Sequence, residues 1–395
     1  MIKNYNKKIL IFLVFLIFSS CSSLKNNIKS DNADLSNKKK IKGKIILKNK
    51  IEYYSEELST DNKKKLYAEV SGAEFVGGYA YFVNDKSRGG KSPIFKIKFD
   101  EGKLEFKEIV YFTADKIIKS EKFEDITSTP DKKIIIAATA FDRVIPDTNK
   151  FDNYNKILNW NVESETGEGL KDDKIYIAHQ TDNSGILSSV SLRKKIKKSL
   201  ADSEFPEGPE YFKIEGLTTI PNEKIIMGVR EYGKKYDDFK YSIKLISADY
   251  AIEDGALNIK DNWQLIYDFK TKGAAGLENQ LGVSGLSFDY KQNILFVLTS
   301  FENKDSQFEG YLWHISLEDL FNGKPLKPVY DESGNSLLSF TPHKPEAITF
   351  LRDNRILIAF DDDRVTKYKE IKGSESREYG REPNEFWYEI IELDR

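Results

Sequence analysis

The sequence predicts an all-β protein, a β-propeller of four-stranded blades, on three observations. A fifteen-residue unit recurs four times with a shorter fifth copy, each unit reads as a β-hairpin, and long helical periodicities are absent. Radial repetition of small sheets is the architecture that fits such a pattern.

The four full units align without gaps. They begin at Glu124 (EDITSTPDKKIIIAA), Glu215 (EGLTTIPNEKIIMGV), Ser284 (SGLSFDYKQNILFVL) and Glu346 (EAITFLRDNRILIAF), and the shorter one runs from Ser71 through Gly72, Ala73 and Glu74 to Val83. In each, an aliphatic and a hydroxyl-bearing or polar residue lead to a turn, which in three units carries Pro-Asp, Pro-Asn or Asp-Asn, and then to an apolar run. That order is a hairpin whose second strand, as in 225–229 or 356–360, is apolar at consecutive positions and so must be covered on both faces. More alternating stretches follow, at 93–99 with 104–112, 241–247 with 263–269, and 311–316 with 326–330. Two strands plus two make one blade.

The last unit has its hairpin at 346–360 and a third strand at 386–393, after which the chain stops. A fourth strand is supplied by Lys44 to Tyr54, at the start of the domain, because propellers can close by pairing their two ends and so remove the open edge. Unit starts lie 53, 91, 69 and 62 residues apart. The long second interval holds either an insertion between Asp142 and Phe205 in a five-bladed ring, or a sixth blade built from 174–179 and 186–192; five recognisable blades with an insertion is the preferred reading. Leu317 to Phe321 and Leu192 to Leu200 are the short helical candidates, the second carrying the basic run Arg193 to Lys198 as a solvated face. A β-sandwich has no reason to repeat a hairpin at blade-sized intervals.

The N-terminus divides the chain further. Lys3, Lys7 and Lys8 precede an apolar run from Ile9 to Phe18, followed by Ser19, Ser20 and Cys21. Charged region, short apolar region and small-residue junction make a secretory leader. Its ten apolar residues rise about 15 Å as a helix, half of the roughly 30 Å that a membrane span requires. Residues 1–20 therefore read as a lipoprotein signal peptide, with Cys21 as the lipid (palmitate-type) acceptor, and 44–395 as the propeller domain. Residues 21–43, rich in Asn, Lys, Ser and Asp, bury too little to fold and read as a disordered tether reaching roughly 25 Å. Cys21 is the single cysteine, so intrachain disulfides, thiol catalysis and cysteine-based metal sites are excluded. A lone cysteine at the signal junction of an exported chain is best accounted for by acylation. The expected location is the bacterial cell envelope, at the outer membrane if the cell has two. Net charge is −2 for the whole chain and −5 without the three leader lysines; with no basic surplus, nucleic acid is not an expected partner.

In each blade the first strand starts, and the second ends, at the same mouth of the ring. That mouth gathers Glu124, Asp125, Glu215 and Glu346 with Asn84, Asp85, Asp142, Arg230, Glu231, Asp361, Asp362 and Asp363. A ring of carboxylates suits a hard cation such as calcium, or a general acid and base, with Arg230 gripping an anionic substrate group. The plainer reading is structural: each Glu accepts backbone N–H groups of a neighbouring blade and stitches the ring together, while Arg230 neutralises Glu215 or Glu346. The run Asp361 to Asp363 lacks the alternating order of a calcium loop. His179, His314 and His343 share no ligand spacing, no Gly-x-Ser-x-Gly elbow is present, and the 21 tyrosines and 25 phenylalanines are accounted for by packing between sheets.

The stretch Phe212-Lys213-Ile214-Glu215-Gly216-Leu217-Thr218, with Ile226-Met227-Gly228-Val229-Arg230, resembles the signature of an uncharacterised bacterial propeller family, domain of unknown function 3616; Lys344-Pro345-Glu346-Ala347-Ile348 is similar to its later Lys-Pro-Glu-Gly-Leu segment. The resemblance implies a propeller from about Lys64 onward, distantly akin to phytase-like and lactonase-like groups, some calcium-dependent. Two functions stand: an envelope-anchored propeller that binds a protein, glycan or small ligand without catalysis, and a calcium-dependent phosphoesterase- or lactonase-like hydrolase using the carboxylate face.

Overall fold

In the computed structural model, residues 40–395 are described apart from 55–59, 62–63, 88–90, 146, 166–168, 184, 304–306 and 373–374. The leader, Cys21 and nearly all of the tether lie outside the described residues. Among those described, no helix is long and apolar enough to cross a membrane.

Ile41–Asp394 form one unit, a five-bladed propeller. Blade 1 runs outward through Val70–Val76, Tyr79–Asn84, Ile94–Asp100 and Lys103–Tyr111; blade 2 through Phe123–Ser128, Ile134–Thr139, Ile157–Asn161 and Ile175–Ile177. Blade 3 uses Tyr211–Ile220, Lys224–Lys235, Asp238–Glu253 and Gln264–Phe269, with Ala256–Ile259 as an extra strand. Blade 4 uses Gly282–Asp289, Ile294–Glu302, Phe308–Ser316 and Lys327–Pro328, and blade 5 Pro345–Phe350, Arg355–Phe360, Glu385–Asp394 and Lys42–Glu52. The five innermost strands pack in a closed ring, each against the next and the fifth against the first.

The repeated hairpins turn as their residues demand. Asn222 with Glu223, Asp353 with Asn354, and Gly77 with Gly78 take consecutive positive φ angles, the backbone of a two-residue turn that follows the strand twist. Second strands are covered on both faces: Ile134, Ile136 and Ala138 enter the core between blades 2 and 3, while Ile135 and Ala137 enter that between blades 1 and 2. Likewise Ile356 and Ile358 face blade 4, and Leu357 and Ala359 face blade 1. Five apolar cores, one per blade junction, hold the ring.

The N-terminal strand closes the last blade, pairing antiparallel from Lys42 opposite Asp394 to Glu52 opposite Glu385. It starts at Lys42, so the final residues assigned to the tether already belong to the sheet. The long second interval is an insertion: Ile175–Ile177 is the outer strand of blade 2, Ile186–Ser188 forms a small hairpin with Thr181–Asn183, and Val190–Ser199 is a helix. One member of that helix's basic run is not solvated. Arg193 is buried, donates to the carbonyls of Phe141, Asp142 and Glu210, and ties the insertion to blades 2 and 3.

Candidate functional site at the mouth of the ring

Every innermost strand carries a β-bulge at the same repeat position. The pairing register skips Ser71, Glu124, Glu215, Ser284 and Glu346, one in each blade. In a regular strand, successive side chains alternate between faces; an extra residue breaks that alternation and re-aims a side chain. Three of the five bulged residues are glutamates. They meet at the mouth, where one oxygen from each of Glu124, Glu215 and Glu346 lies within 4.8 Å of the others, a spacing a metal ion can bridge.

These carboxylates are sealed, each at most 3% exposed, and each faces a cation. Lys213 bonds Glu215 and stands 3.2 Å from Glu124. Arg230 Nη1 lies 3.1 Å from Glu215 Oε2 and 4.0 Å from Glu346, and donates to Ser300 Oγ at 2.7 Å. Lys344 lies 3.3 Å from both Glu346 and Asp363. Two lysines and one arginine thus stand against the three glutamate carboxyls. Room for Arg230 comes from Gly282, where a Cβ would sit 2.6 Å from its Cγ.

Burial and neighbours pull the three carboxyls apart. Glu124 is pushed well up by burial and by Glu215, against the pull of Lys213. Burial acts on Glu215 too, but Arg230, Lys213 and Lys344 outweigh it and hold this group below the ordinary range. Glu346 is pushed up to about 7, mainly by burial, with Lys344 opposing and Glu215 adding. A divalent cation placed here would meet Lys213, Arg230 and Lys344 as well as the carboxylates. Each like-charge contact at 4 Å costs about 4 kcal/mol per charge product at an effective dielectric of 20, so this cation-lined arrangement does not fit calcium unless the cations withdraw.

Stitching of the ring falls to a different residue. Asp125 occupies the repeat position that is Gly72, Gly216, Gly285 or Ala347 in the other blades, and its carboxylate takes the N–H groups of Ile126 at 2.8 Å and Leu217 at 2.6 Å. Blades 2 and 3 are thereby tied through one buried side chain. The narrowness of the axis makes this possible: a Cβ on Gly72 would lie 2.5 Å from Asp125 Cα. The glutamates expected in that role are ion-paired, and Glu124 Oε1, Glu215 Oε2 and Glu346 Oε1 accept no hydrogen bond. Lower on the axis, Glu74 accepts from Ser128 Oγ and Lys132, with Thr349 at 3.4 Å.

The remaining acidic candidates divide. Asp142 is held below its usual range because Lys122 and Arg143 outweigh its burial, at 3.2 and 2.9 Å. Glu231 accepts from Tyr211, and Asp85 stands 3.9 Å from Lys86. Asp361 is buried beside Asp363 and accepts its N–H. Asp362 leaves the group altogether: it bonds His343 at 2.8 Å and Tyr368 at 2.6 Å, under the hairpin formed by Lys367–Lys372 and Glu375–Gly380. Lys122, Lys213 and Lys344 are the residues that the sequence reading passed over. Each stands two positions before a mouth glutamate, so the triple Lys-x-Glu was a visible signal.

No family model and no curated protein matches the chain. Among solved structures, an alpha-L-arabinofuranosidase from Podospora anserina in complex with cellotriose is similar at 9% identity, over 90% of this chain and 97% of that one, with a TM-score of 0.38. A protein of unknown function from Dyadobacter fermentans is similar at 11% identity over 90% and 99%, with a TM-score of 0.38. A GH62 alpha-L-arabinofuranosidase catalytic domain from Coprinopsis cinerea follows at 8% identity over 90% and 96%, with a TM-score of 0.37.

Proposed function

We propose that the chain is a non-catalytic binding propeller, held at the bacterial cell envelope by lipid on Cys21. The observation that supports this is the closed state of the axial mouth: Glu124, Glu215 and Glu346 are shut from solvent and matched one for one by Lys213, Arg230 and Lys344. Acid–base hydrolysis needs a carboxyl that touches substrate, and these touch one another's counter-ions instead. The likeness of the segments around Glu215 and Glu346 to domain of unknown function 3616 is compatible with this reading, since both segments then serve the ring.

One observation favours a calcium-dependent phosphoesterase- or lactonase-like hydrolase. Glu346 is pushed up to about 7 by burial beside a Glu215 that its cations hold below the ordinary range, and divergent neighbouring carboxyls are how one site supplies both acid and base. Thermal melts with added calcium and with a chelator separate the two. The binding reading expects the same melting temperature under both conditions. A ligand-linked rise with calcium that the chelator abolishes, lost in Glu215→Gln, overturns it in favour of the hydrolase.

A further inference from the structure

A second cluster stands apart from the axial mouth and does not depend on the binding reading. His343 is 1% exposed. Its Nδ1 lies 2.8 Å from Asp362 Oδ2, and its Nε2 lies 3.0 Å from the Tyr379 hydroxyl. Asp362 is fully engaged, also taking the Tyr368 hydroxyl at 2.6 Å and the Lys344 N–H at 2.8 Å. Burial pushes its carboxyl up, but His343 and Tyr368 outweigh that and hold it below the usual range. It is therefore an ionised acceptor, and an ionised carboxylate cannot donate.

For a neutral imidazole the direction of the chain of hydrogen bonds follows. His343 donates from Nδ1 to Asp362, Nε2 is left as the acceptor, and Tyr379 donates its O–H to it. When the phenol ionises, its O–H bond breaks and an N–H bond forms at Nε2, with no change in total charge. The imidazolium produced lies between two anions, Asp362 and the phenolate. Lys48 Nζ, 3.4 Å from the Tyr379 oxygen and 4.8 Å from its ring centre, stabilises the phenolate from the other side. A nucleophile or base oriented by a histidine that is itself oriented by a buried carboxylate is the arrangement that activates a weak hydroxyl.

The phenol is also reachable. Tyr379 is half-buried, and it lines a cleft of about 610 Å³ with Tyr368, Lys50, Lys367, Lys369 and Arg381. Glu378 and Glu382 are the acidic lining residues, so the lining has a basic surplus, while Lys48 beside the Tyr379 hydroxyl is itself 3.6 Å from Glu389. Arg381 spends its guanidinium on the carbonyls of Asp363, Val365 and Glu385 and on the Tyr368 hydroxyl, and Lys50 is paired with Glu385. Lys367 and Lys369 are exposed on the rim.

We infer that Tyr379 is an activated phenol, its proton relayed through His343 to the field of Asp362, at the edge of a cleft that takes a small ligand bearing a phosphate or carboxylate group. A purely structural account makes the hydroxyl a pin that holds the Lys367–Gly380 hairpin to blade 5.

The test is a pH titration of the protein labelled with ¹³C at tyrosine Cζ, the Tyr379 resonance being assigned by its loss in Tyr379→Phe, which keeps the ring contacts with Tyr368 and Trp387. The expected midpoint lies at least one pH unit below the ordinary tyrosine value of about 10, so the ionised fraction near pH 8 rises about tenfold or more. His343→Gln should return the midpoint to about 10. Inorganic phosphate should shift the same resonance saturably, and should do so less tightly in a Lys367→Ala/Lys369→Ala double variant. A midpoint at or above about 10 in the parent protein overturns the activated phenol and leaves the pin. A low midpoint with no response to phosphate overturns the ligand half of the inference.

Discussion

Asp125 gives the sharpest test of how the ring is held. Its carboxylate, 1% exposed, takes N–H groups from Ile126 and Leu217. Asp125→Ala leaves two buried donors unpaired, at about 1 to 3 kcal/mol each, for a loss of about 2 to 6 kcal/mol. Asp125→Asn keeps one acceptor oxygen and turns an amide N–H₂ toward the remaining donor, so about one bond is lost, or 1 to 3 kcal/mol. Burial pushes the Asp125 carboxyl well above the ordinary range, so the neutral amide recovers part of the desolvation cost and Asn must fall between Asp and Ala. With an unfolding entropy of about 2.1 cal/mol/K per residue, the unit Ile41–Asp394 has about 0.7 kcal/mol/K in total. The expected fall in melting temperature is then about 1 to 4 °C for Asn and about 3 to 8 °C for Ala. Scanning calorimetry at neutral pH, with urea midpoints as a second measure, reads both. If Asp125→Ala melts with the parent protein, or Asn melts with Ala, the side chain is not what ties blades 2 and 3.

Gly72→Ala should destabilise strongly, because its Cβ would sit 2.5 Å from a backbone atom, Asp125 Cα, which cannot rotate away; a melting temperature within 1 °C of the parent, as an order-of-magnitude bound, would remove the close-approach argument. Glu346 has a folded pKa of about 7 against an ordinary 4.5. The folded chain therefore holds a proton the unfolded one lacks, and this stabilisation is complete below about 4.5 and lost as pH rises through about 7. Urea midpoints across that window should fall with pH in the parent and flatten in Glu346→Gln, whereas equal slopes refute the assignment. Removing residues 1–54 deletes the closing strand and the buried Ile51, Tyr53 and Tyr54, at about 5 kcal/mol or more; hydrogen exchange should rise first in Glu385–Asp394, and an unchanged exchange map would deny closure any role. Cys21→Ala should move the protein from the membrane fraction to the soluble one at unchanged melting temperature, and retention on the membrane places the anchor elsewhere.

The architecture was legible because its signals are local and repeated. Apolar runs such as 225–229 and 356–360 require cover on both faces, and the cores on either side of them provide it. Closure followed from counting strands in the last unit. The blade number was less legible, since 174–179 and 186–192 have strand-like composition; Ile186–Ser188 is paired only with Thr181–Asn183, and the helix after it caps the junction of blades 2 and 3 with Leu192 and Ile196. Local propensity does not state which sheet a short strand joins.

The chemistry of the mouth was harder to read for a geometric reason. Alternation along an unbulged strand sends Glu124 and Asp125 to opposite faces, and nothing in the residue types announces the skipped register that brings the glutamate to the mouth and leaves the aspartate facing the next blade. Once the bulge is present at the same position in all five blades, the repeat offset decides the electrostatics. Lys122-x-Glu124, Lys213-x-Glu215 and Lys344-x-Glu346 each carry a cation beside the anion. Blade 4 has Gly282-x-Ser284 instead, without charge, and the space left by that glycine is entered by Arg230 from blade 3, which reaches Ser300 and Glu215. The pairing of cation with carboxyl at the mouth is thus a property of the repeat together with one substitution that admits an arginine, and a side chain larger than glycine at position 282 should expel Arg230, leave Glu215 under-neutralised and raise its pKa.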